Sequence, residues 1–449
     1  MQMQRRRLQT LQARGFELAS AIFIEDASHL MFSLNRLSVV GIGKLGACLA
    51  ATLAQRGFEV VGIDNNPEVA RRINAGEAPV FEPQLAETVA AAKGRLRATT
   101  DAREAVETDA SFVIVPTPSL PDGSFSNEFL MRALQPIAQA VRVSGKRDHL
   151  FVVSSTTTPS ACRKVIIPML EQQIGGECGQ RFGFCYNPEF IALGDVIRGL
   201  LEPDLVLIGE SDTRSGDLLE ALYRRYNTNR PTIARMSITS AELTKISVNS
   251  YITTKISFTN QLRMISEQYA DTNIHAILDA IGADSRIGKK YLRAGLSYGG
   301  PCFPRDNRLV SYAAKQVGLN AALADATDAV NELAKQRLAD QAKKCLKPGD
   351  TAVVLGMAYR PGSYIVEESA GLHVAKALKS AGCRVLVHDC AANPQNSPSL
   401  LEFELVGDIA SLKNETEIKA VLICCAWPAY KTIEVPSSAK VFDPWGVLA

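Results

Sequence analysis

Charge of one sign is missing from this chain: 49 Lys and Arg stand against 47 Asp and Glu, a formal net charge of +2. Such a balance leaves no polyelectrolyte footprint, so no nucleic acid is expected as a partner. Long apolar runs are missing too, since stretches such as residues 111–121 are broken by Pro, Ser and Thr and none approaches the ~18 residues of a spanning helix. No membrane partner is expected. The ten cysteines contain no CxxC pair, and neither they nor the five scattered histidines keep the spacing of a zinc site. No metal is expected, and reduced thiols in a cytoplasmic enzyme are the expected state. What remains is an ordinary globular composition, 46% apolar and 21% charged over 449 residues, which at ~150 residues per domain suggests about three domains.

Residues 1–34 stand apart, with Arg5, Arg6 and Arg7 in a Gln-rich stretch and no apolar targeting core behind them. We expect a disordered or loosely helical leader, or a natural start at Met31. From residue 37 the pattern becomes strand (37–40), glycine turn (41–46), helix (47–56) and strand (58–63) ending at Asp64, which is a βαβ unit. Further strand-like runs at 112–115, 150–154 and 205–208 predict a doubly wound parallel sheet, and we assign 35–225 to a Rossmann domain.

Residues 240–269 carry no Gly or Pro and open with Thr239-Ser-Ala-Glu242, a capping-box spacing. Apolar residues fall on most sides of this helix, so it is expected to be a buried spine in a central helical domain, 226–330. After Pro348 the first pattern returns: a strand at 351–355, a turn at 356–362, a helix at 372–380 and a strand at 384–387 followed by His388 and Asp389. The expected fold is therefore α/β, two Rossmann-like doubly wound domains joined by a central helical domain, with the second Rossmann-like domain at 331–449. Its turn lacks the full glycine set.

Gly41, Gly43 and Gly46 follow a strand, open a helix and precede an acid 18 positions past Gly46. The glycines allow a tight turn and the approach of a pyrophosphate, and Asp64 can accept from a ribose 2′-hydroxyl while repelling a 2′-phosphate. NAD is the expected cofactor. On the spine, Lys245 and Asn249 share a face, where Lys245 is either a snorkelling surface residue or an ammonium held near an oxyanion. The run Gly295-Leu-Ser-Tyr-Gly-Gly-Pro-Cys-Phe-Pro-Arg-Asp306 is a glycine-rich loop entering a helix, with Pro304 in its first turn. Cys302 there is either a small buried hydrophobe or a thiol whose pKa the helix N-terminus lowers. Asp306 is either a neighbour of a lysine or a first-turn acid.

The motifs together, GIGKLG with Asp64, VPTPS at 115–119, SSTTTP at 154–159, NPEF at 187–190, SAELTKISVN at 240–249, KISFTNQ at 255–261, RIG at 286–288 and GGPCFPRD at 299–306, resemble the UDP-glucose/GDP-mannose dehydrogenase family over nearly the whole body. The resemblance implies an NAD-dependent nucleotide-sugar 6-dehydrogenase, a four-electron oxidation of the C6 alcohol of UDP-glucose or a related UDP-hexose, and a homodimer around the spine. It implies Cys302 as nucleophile through a thiohemiacetal and thioester, Lys245 as oxyanion stabiliser, Asn249 and Asp306 as positioning groups, and Thr156 and Glu189 as holders of water. It also implies Gly41, Gly43, Lys44, Leu45, Gly46, Asp64, Pro116, Thr117 and Thr156 at the cofactor. The sugar nucleotide would meet Glu189, Phe190, Lys245, Asn249, Arg286, Tyr291, Gly299, Phe303 and Arg360.

Three positions depart from the family: Leu193 replaces a second glutamate, Pro301 a serine, and Glu367 an arginine commonly directed at the neighbouring subunit's sugar. The alternatives are a GDP-mannose or UDP-N-acetylhexosamine dehydrogenase, a two-electron hydroxyacid dehydrogenase, and a non-catalytic NAD-binding paralogue.

Overall fold

The computed structural model describes residues 33–191, 194–415 and 417–448. Residues 1–32 of the expected leader and the departure at Leu193 lie outside the described residues. Internal packing divides the described residues into two compact units, one comprising those up to Pro116 with those in Glu128–Ser155 and Ser160–Ala241, the other those in Thr117–Asn127 and Thr156–Pro159 and from Glu242 on.

The first unit is built on an eight-stranded sheet: β1 Arg36–Val40, β2 Glu59–Ile63, β3 Leu96–Thr99, β4 Ala110–Val113, β5 His149–Val153, β6 Phe182–Tyr186, β7 Leu205–Glu210 and β8 Thr232–Ser237. Their spatial order is 3-2-1-4-5-6-7-8. Alternation along each strand supplies two cores, so that on β5 Leu150 and Val152 enter one while Phe151 and Val153 enter the other. The first crossover is the helix Lys44–Gln55, whose run of Ala and Leu favours helix and is buried from Gly46 to Ala54.

The sheet is not parallel throughout, because β7 pairs antiparallel with β6 while β8 runs parallel to β7. Between β6 and β7 the described residues hold one helix, Val196–Leu201, of six residues. At 1.5 Å per residue that is about 9 Å, too short to carry the chain back along a strand, so it returns in the opposite sense.

In the second unit the spine helix spans Ile238–Ser266 and the cysteine-bearing loop leads into a helix at Phe303–Gln316, with Pro304 in its first turn as expected. A long helix, Ala322–Lys343, precedes a five-stranded parallel sheet of β9 Thr351–Leu355, β10 Arg384–His388, β11 Glu404–Leu405, β12 Ile418–Ile423 and β13 Lys440–Phe442. Its order, β11-β10-β9-β12-β13, repeats that of the first five strands of the first sheet.

Two expectations about the spine are corrected. β8 runs directly into the helix, so Thr239 lies inside it and Ser237 Oγ instead accepts from the Ser240 N–H at 3.3 Å. Glu242 is wholly buried and accepts from the Thr157 hydroxyl at 3.0 Å. Nor is the buried side wholly apolar: beside Ile238, Ala241 and Ile246, the residues Glu242, Lys245, Asn249, Thr253, Ser257, Thr259 and Asn260 are buried, whereas Leu243, Tyr251, Phe258 and Ile265 are exposed. The helix turns its polar face inward.

Candidate active site

In the first unit the glycine turn is set by contacts no side chain could share. Gly41 has φ +89°, and a Cβ there would lie 2.3 Å from the Ile114 carbonyl oxygen; one on Gly46 would lie 2.0 Å from the Gly41 oxygen. Gly43 differs, since a Cβ on it would meet nothing within 4 Å. It leaves room in front of the helix N-terminus, where no side chain caps the helix and no acid sits in the first turn. Asp64 stands at the end of β2, accepting from the Asn66 N–H at 3.0 Å. An anion-accepting helix end, a glycine open to space and an acid at the second strand's end fit a dinucleotide.

Lys44, the first residue of the helix, lies 3.9 Å from Glu82, and Leu45 beside it is half-buried. Glu82 is a residue the sequence analysis missed. It is buried, and its Oε1 also accepts from the N–H groups of Gly194 and Val196 at 2.7 and 3.2 Å. Glu189, half-buried, accepts from the Tyr223 hydroxyl at 3.4 Å, and the same hydroxyl donates to Asn187 at 2.5 Å. Phe190 packs against the apolar core beside it, and Pro116, after β4, is exposed.

The second unit gathers most of the remaining candidates. Asn249 Nδ2 donates to Asp306 Oδ2 at 2.6 Å, which joins the spine to the first turn of the cysteine helix. Lys245, Asn249 and Asp306 are all buried. Burial pushes the Asp306 carboxyl up, while Lys245 and then the Asn249 amide pull it down. Cys302 sits at the N-cap position. Its thiol is pushed up by burial of the sulfur and then by Asp306, against Lys245 and Arg305. That corrects the expectation of a thiol lowered by the helix end. The residue as a whole keeps exposed surface.

Thr117 and Thr156, from the stretches after β4 and β5, are joined by a 2.8 Å bond from the Thr117 hydroxyl to the Thr156 carbonyl. Arg305 donates to the Thr117 carbonyl and, at 3.0 Å, to Ser119 Oγ, with its guanidinium over the Phe125 ring. Tyr291 and Phe303 meet edge to face at 6.4 Å. Arg286 is paired with Asp284 of its own turn at 2.6 Å, and Arg360 donates to the Pro361 carbonyl at 3.2 Å, so neither is brought to the Cys302 cluster by a bond of its own.

The cysteine loop is fastened by two asparagines whose role was not legible. Asn260 accepts from the Gly295 N–H at 3.0 Å and donates to the Leu296 carbonyl at 2.8 Å. Asn331 does the same at Tyr298, accepting at 2.8 Å and donating at 3.1 Å. Each amide replaces a strand partner for one piece of irregular backbone, which holds the loop in one shape. The Tyr298 hydroxyl donates to Asp328.

Among the described residues no three His, Cys, Asp or Glu side chains group as metal ligands, and no helix is long and apolar enough to cross a membrane. The ten cysteines are all free.

A mixed Rossmann sheet, a spine, a cysteine at a helix N-terminus and a second nucleotide-type sheet define a dehydrogenase of known architecture. The chain belongs to the UDP-glucose/GDP-mannose dehydrogenase family of NAD-dependent oxidoreductases that act on nucleotide sugars: the family's NAD binding domain matches residues 35–227, its central domain 239–333 and its UDP binding domain 353–449. The UDP-glucose 6-dehydrogenase AglM of Haloferax volcanii is 31% identical over 89% of this chain and 93% of its own. A GDP-mannose 6-dehydrogenase of Pseudomonas putida is 32% identical over 79% of this chain and 80% of its own. The solved structure of a UDP-glucose dehydrogenase from Pyrobaculum islandicum superposes with a TM-score of 0.84 at 32% identity, covering 92% of this chain and 95% of that one.

Proposed function

We propose that this enzyme oxidises the C6 alcohol of a UDP-hexose, UDP-glucose in the first place, to the uronate, with two NAD reduced per sugar. The observation that carries the reading is the meeting of Lys245, Asn249 and Asp306 around Cys302 at the end of a fastened loop. Gly41, Gly43, Lys44, Leu45, Gly46, Asp64, Pro116, Thr117 and Thr156 would hold NAD, which would supply the hydride acceptor. The names of the Haloferax and Pyrobaculum relatives favour UDP-glucose, as does the description of the third domain.

An aldehyde carbon must become tetrahedral before it can lose a second hydride. Cys302 Sγ, once deprotonated, adds to that carbon and forms a thiohemiacetal; its oxidation leaves a thioester, and water releases the acid and restores the thiolate. The buried Lys245 ammonium faces the developing oxyanions, where low dielectric makes it strong. Asn249 fixes Asp306, and Asp306 balances the lysine. Thr156 and Glu189 hold the attacking water. Phe190, Tyr291, Gly299, Phe303, Arg286 and Arg360 bind the sugar nucleotide.

The same reading includes a homodimer across the spine, whose outward stripe leaves Tyr251 67% and Phe258 49% exposed. Light scattering should give a dimer at micromolar concentration, and Phe258→Asp should give monomer. The catalytic reading is tested by a panel of UDP-glucose, GDP-mannose and UDP-N-acetylhexosamines scored as NADH per sugar consumed. Two NADH with UDP-glucose supports it; one NADH per sugar, or preference for another member of the panel, overturns it.

A further inference from the structure

Two attachments of one turn straddle Cys302. On the loop side, the Gly300 N–H donates to the Glu367 carbonyl at 2.9 Å, and a Cβ on Gly299 would lie 2.4 Å from the Glu368 carbonyl oxygen. Backbone touches backbone at Gly299, whereas Gly300 has φ +80° and an added Cβ there would lie 2.7 Å from the Tyr359 ring, so each position favours glycine for its own reason. On the helix side, Glu368 Oε1 takes Arg308 Nη2 at 3.0 Å, six residues past Cys302 on the helix it opens. Glu368 Oε2 lies 3.7 Å from Lys335 Nζ, a buried ammonium on the helix Ala322–Lys343 that also pairs with Glu332 at 2.5 Å.

Glu368 adopts φ +55°, a left-handed conformation that costs any residue with a Cβ. Such a conformation persists only where the surroundings over-determine it. Surface pairing alone is too weak a reason, since an ion pair as exposed as this one contributes little to stability. What the conformation accomplishes is geometric: the Glu367 carbonyl accepts from the loop before the cysteine while the next residue, Glu368, lays its backbone against Gly299 and gives its carboxylate to the helix after the cysteine.

We propose that Glu368 is a positioning residue for Cys302, clamping the turn 366–369 against both the Gly299–Gly300 backbone and Arg308 so that the sulfur is held where the aldehyde carbon arrives. The proposal rests on Cys302 as the nucleophile. It makes no claim on the sugar, and it does not involve Glu367's side chain.

The test compares the full-length enzyme with Glu368→Gln, Glu368→Gly and Cys302→Ala. Three quantities are read: kcat and KM for acid formation, the pH profile of Cys302 alkylation by iodoacetamide without substrate, and the thermal midpoint. A nucleophile displaced by about 1 Å can lose ~100-fold in rate, so kcat should fall about tenfold to hundredfold in both Glu368 variants while KM for NAD stays within about twofold. The alkylation profile should move in both. Glu368→Gly is decisive because glycine is unstrained at this φ: its midpoint should hold or rise while its kcat falls.

Unchanged kcat and alkylation in both variants overturns the clamp, and so does wild-type turnover by Glu368→Gly alone, which would leave only backbone strain. Wild-type turnover by Cys302→Ala instead overturns the nucleophile. In that event the alkylation profile alone decides whether Glu368 positions the thiol.

Discussion

The acid at the end of β2 and the acid at the end of β10 occupy matching places in two sheets that share the order of five strands, yet they have different surroundings. Asp64 accepts one hydrogen bond, from the Asn66 N–H two residues on. Asp389 accepts from the N–H groups of Ala358, Ala391 and Ala392 at 2.8, 2.8 and 2.9 Å and from the Trp427 indole at 3.2 Å. The glycines divide in the same way. Gly356 has φ +93°, as Gly41 has +89°, and a Cβ on Gly371 would meet the Gly356 oxygen at 2.2 Å, as one on Gly46 would meet that of Gly41 at 2.0 Å. Strand–helix packing therefore needs the outer two glycines in both halves. The middle one differs: Gly43 stands directly at its helix N-terminus, whereas in the second half Gly362 lies in a long loop that separates the outer pair and reaches the cysteine loop. One turn is kept short and open for a ligand; the other is extended and closed on its own protein.

The largest expected effect lies at the sulfur which the second half's loop supports. Cys302→Ala should lower acid formation on the order of 10³-fold or more, with NAD binding near wild type, because nucleophile removal takes away both the adduct and the thioester. Cys302→Ser should give slow or single turnover and leave a trapped acyl-enzyme, visible as an added mass on the peptide containing residue 302. The pH profile carries a sign as well. Asp306 raises the Cys302 thiol and Lys245 lowers it, so alkylation should rise with pH through the thiol's pKa, at lower pH in Asp306→Asn and at higher pH in Lys245→Met. Shifts in the opposite sense would remove both residues from the sulfur's surroundings.

Next come the paired acids. Asp389→Ala strands four donors, each net hydrogen bond being about 1 kcal/mol, so unfolding stability should fall by about 4 kcal/mol with NAD affinity untouched. Asp64→Asn should do the reverse, weakening NAD about tenfold and narrowing the preference over NADP with little change in stability. Denaturant unfolding and calorimetric titration on the same two proteins check this. A loss of NAD affinity in Asp389→Ala would end the contrast between the halves.

How much of this was legible depends on how far each residue acts along the chain. Gly41 to Asp64 and the entry of Cys302 into a helix are local patterns, and both stand where the sequence puts them. Asn260 and Asn331 act on backbone some 35 positions away, Gly295 and Tyr298, so nothing beside them in sequence marks them. Glu82 likewise reaches Gly194. The spine was misread for another reason: its apolar residues were assigned to the interior, whereas its inward face holds the charged and amide groups of the site. Apolar residues on most sides of a helix do not tell a face turned to a partner from one turned to a core. The antiparallel β7 was missed because apolar runs carry no direction.

The smallest expected effect sharpens the first half alone. Gly43 is the glycine of the turn whose added Cβ would meet nothing within 4 Å, and its backbone, at φ −70°, is open to any residue. Gly43→Ala should therefore change unfolding stability by no more than about 0.5 kcal/mol. The methyl would nevertheless project into the space in front of the helix N-terminus, where a pyrophosphate must come close to backbone N–H groups, so NAD should bind more weakly. Gly46→Ala serves as the contrast, because its methyl would press on the Gly41 carbonyl and lower stability before any ligand is added. If Gly43→Ala unfolds like Gly46→Ala, the middle glycine is a packing residue, and the openness of the first turn no longer separates it from the second.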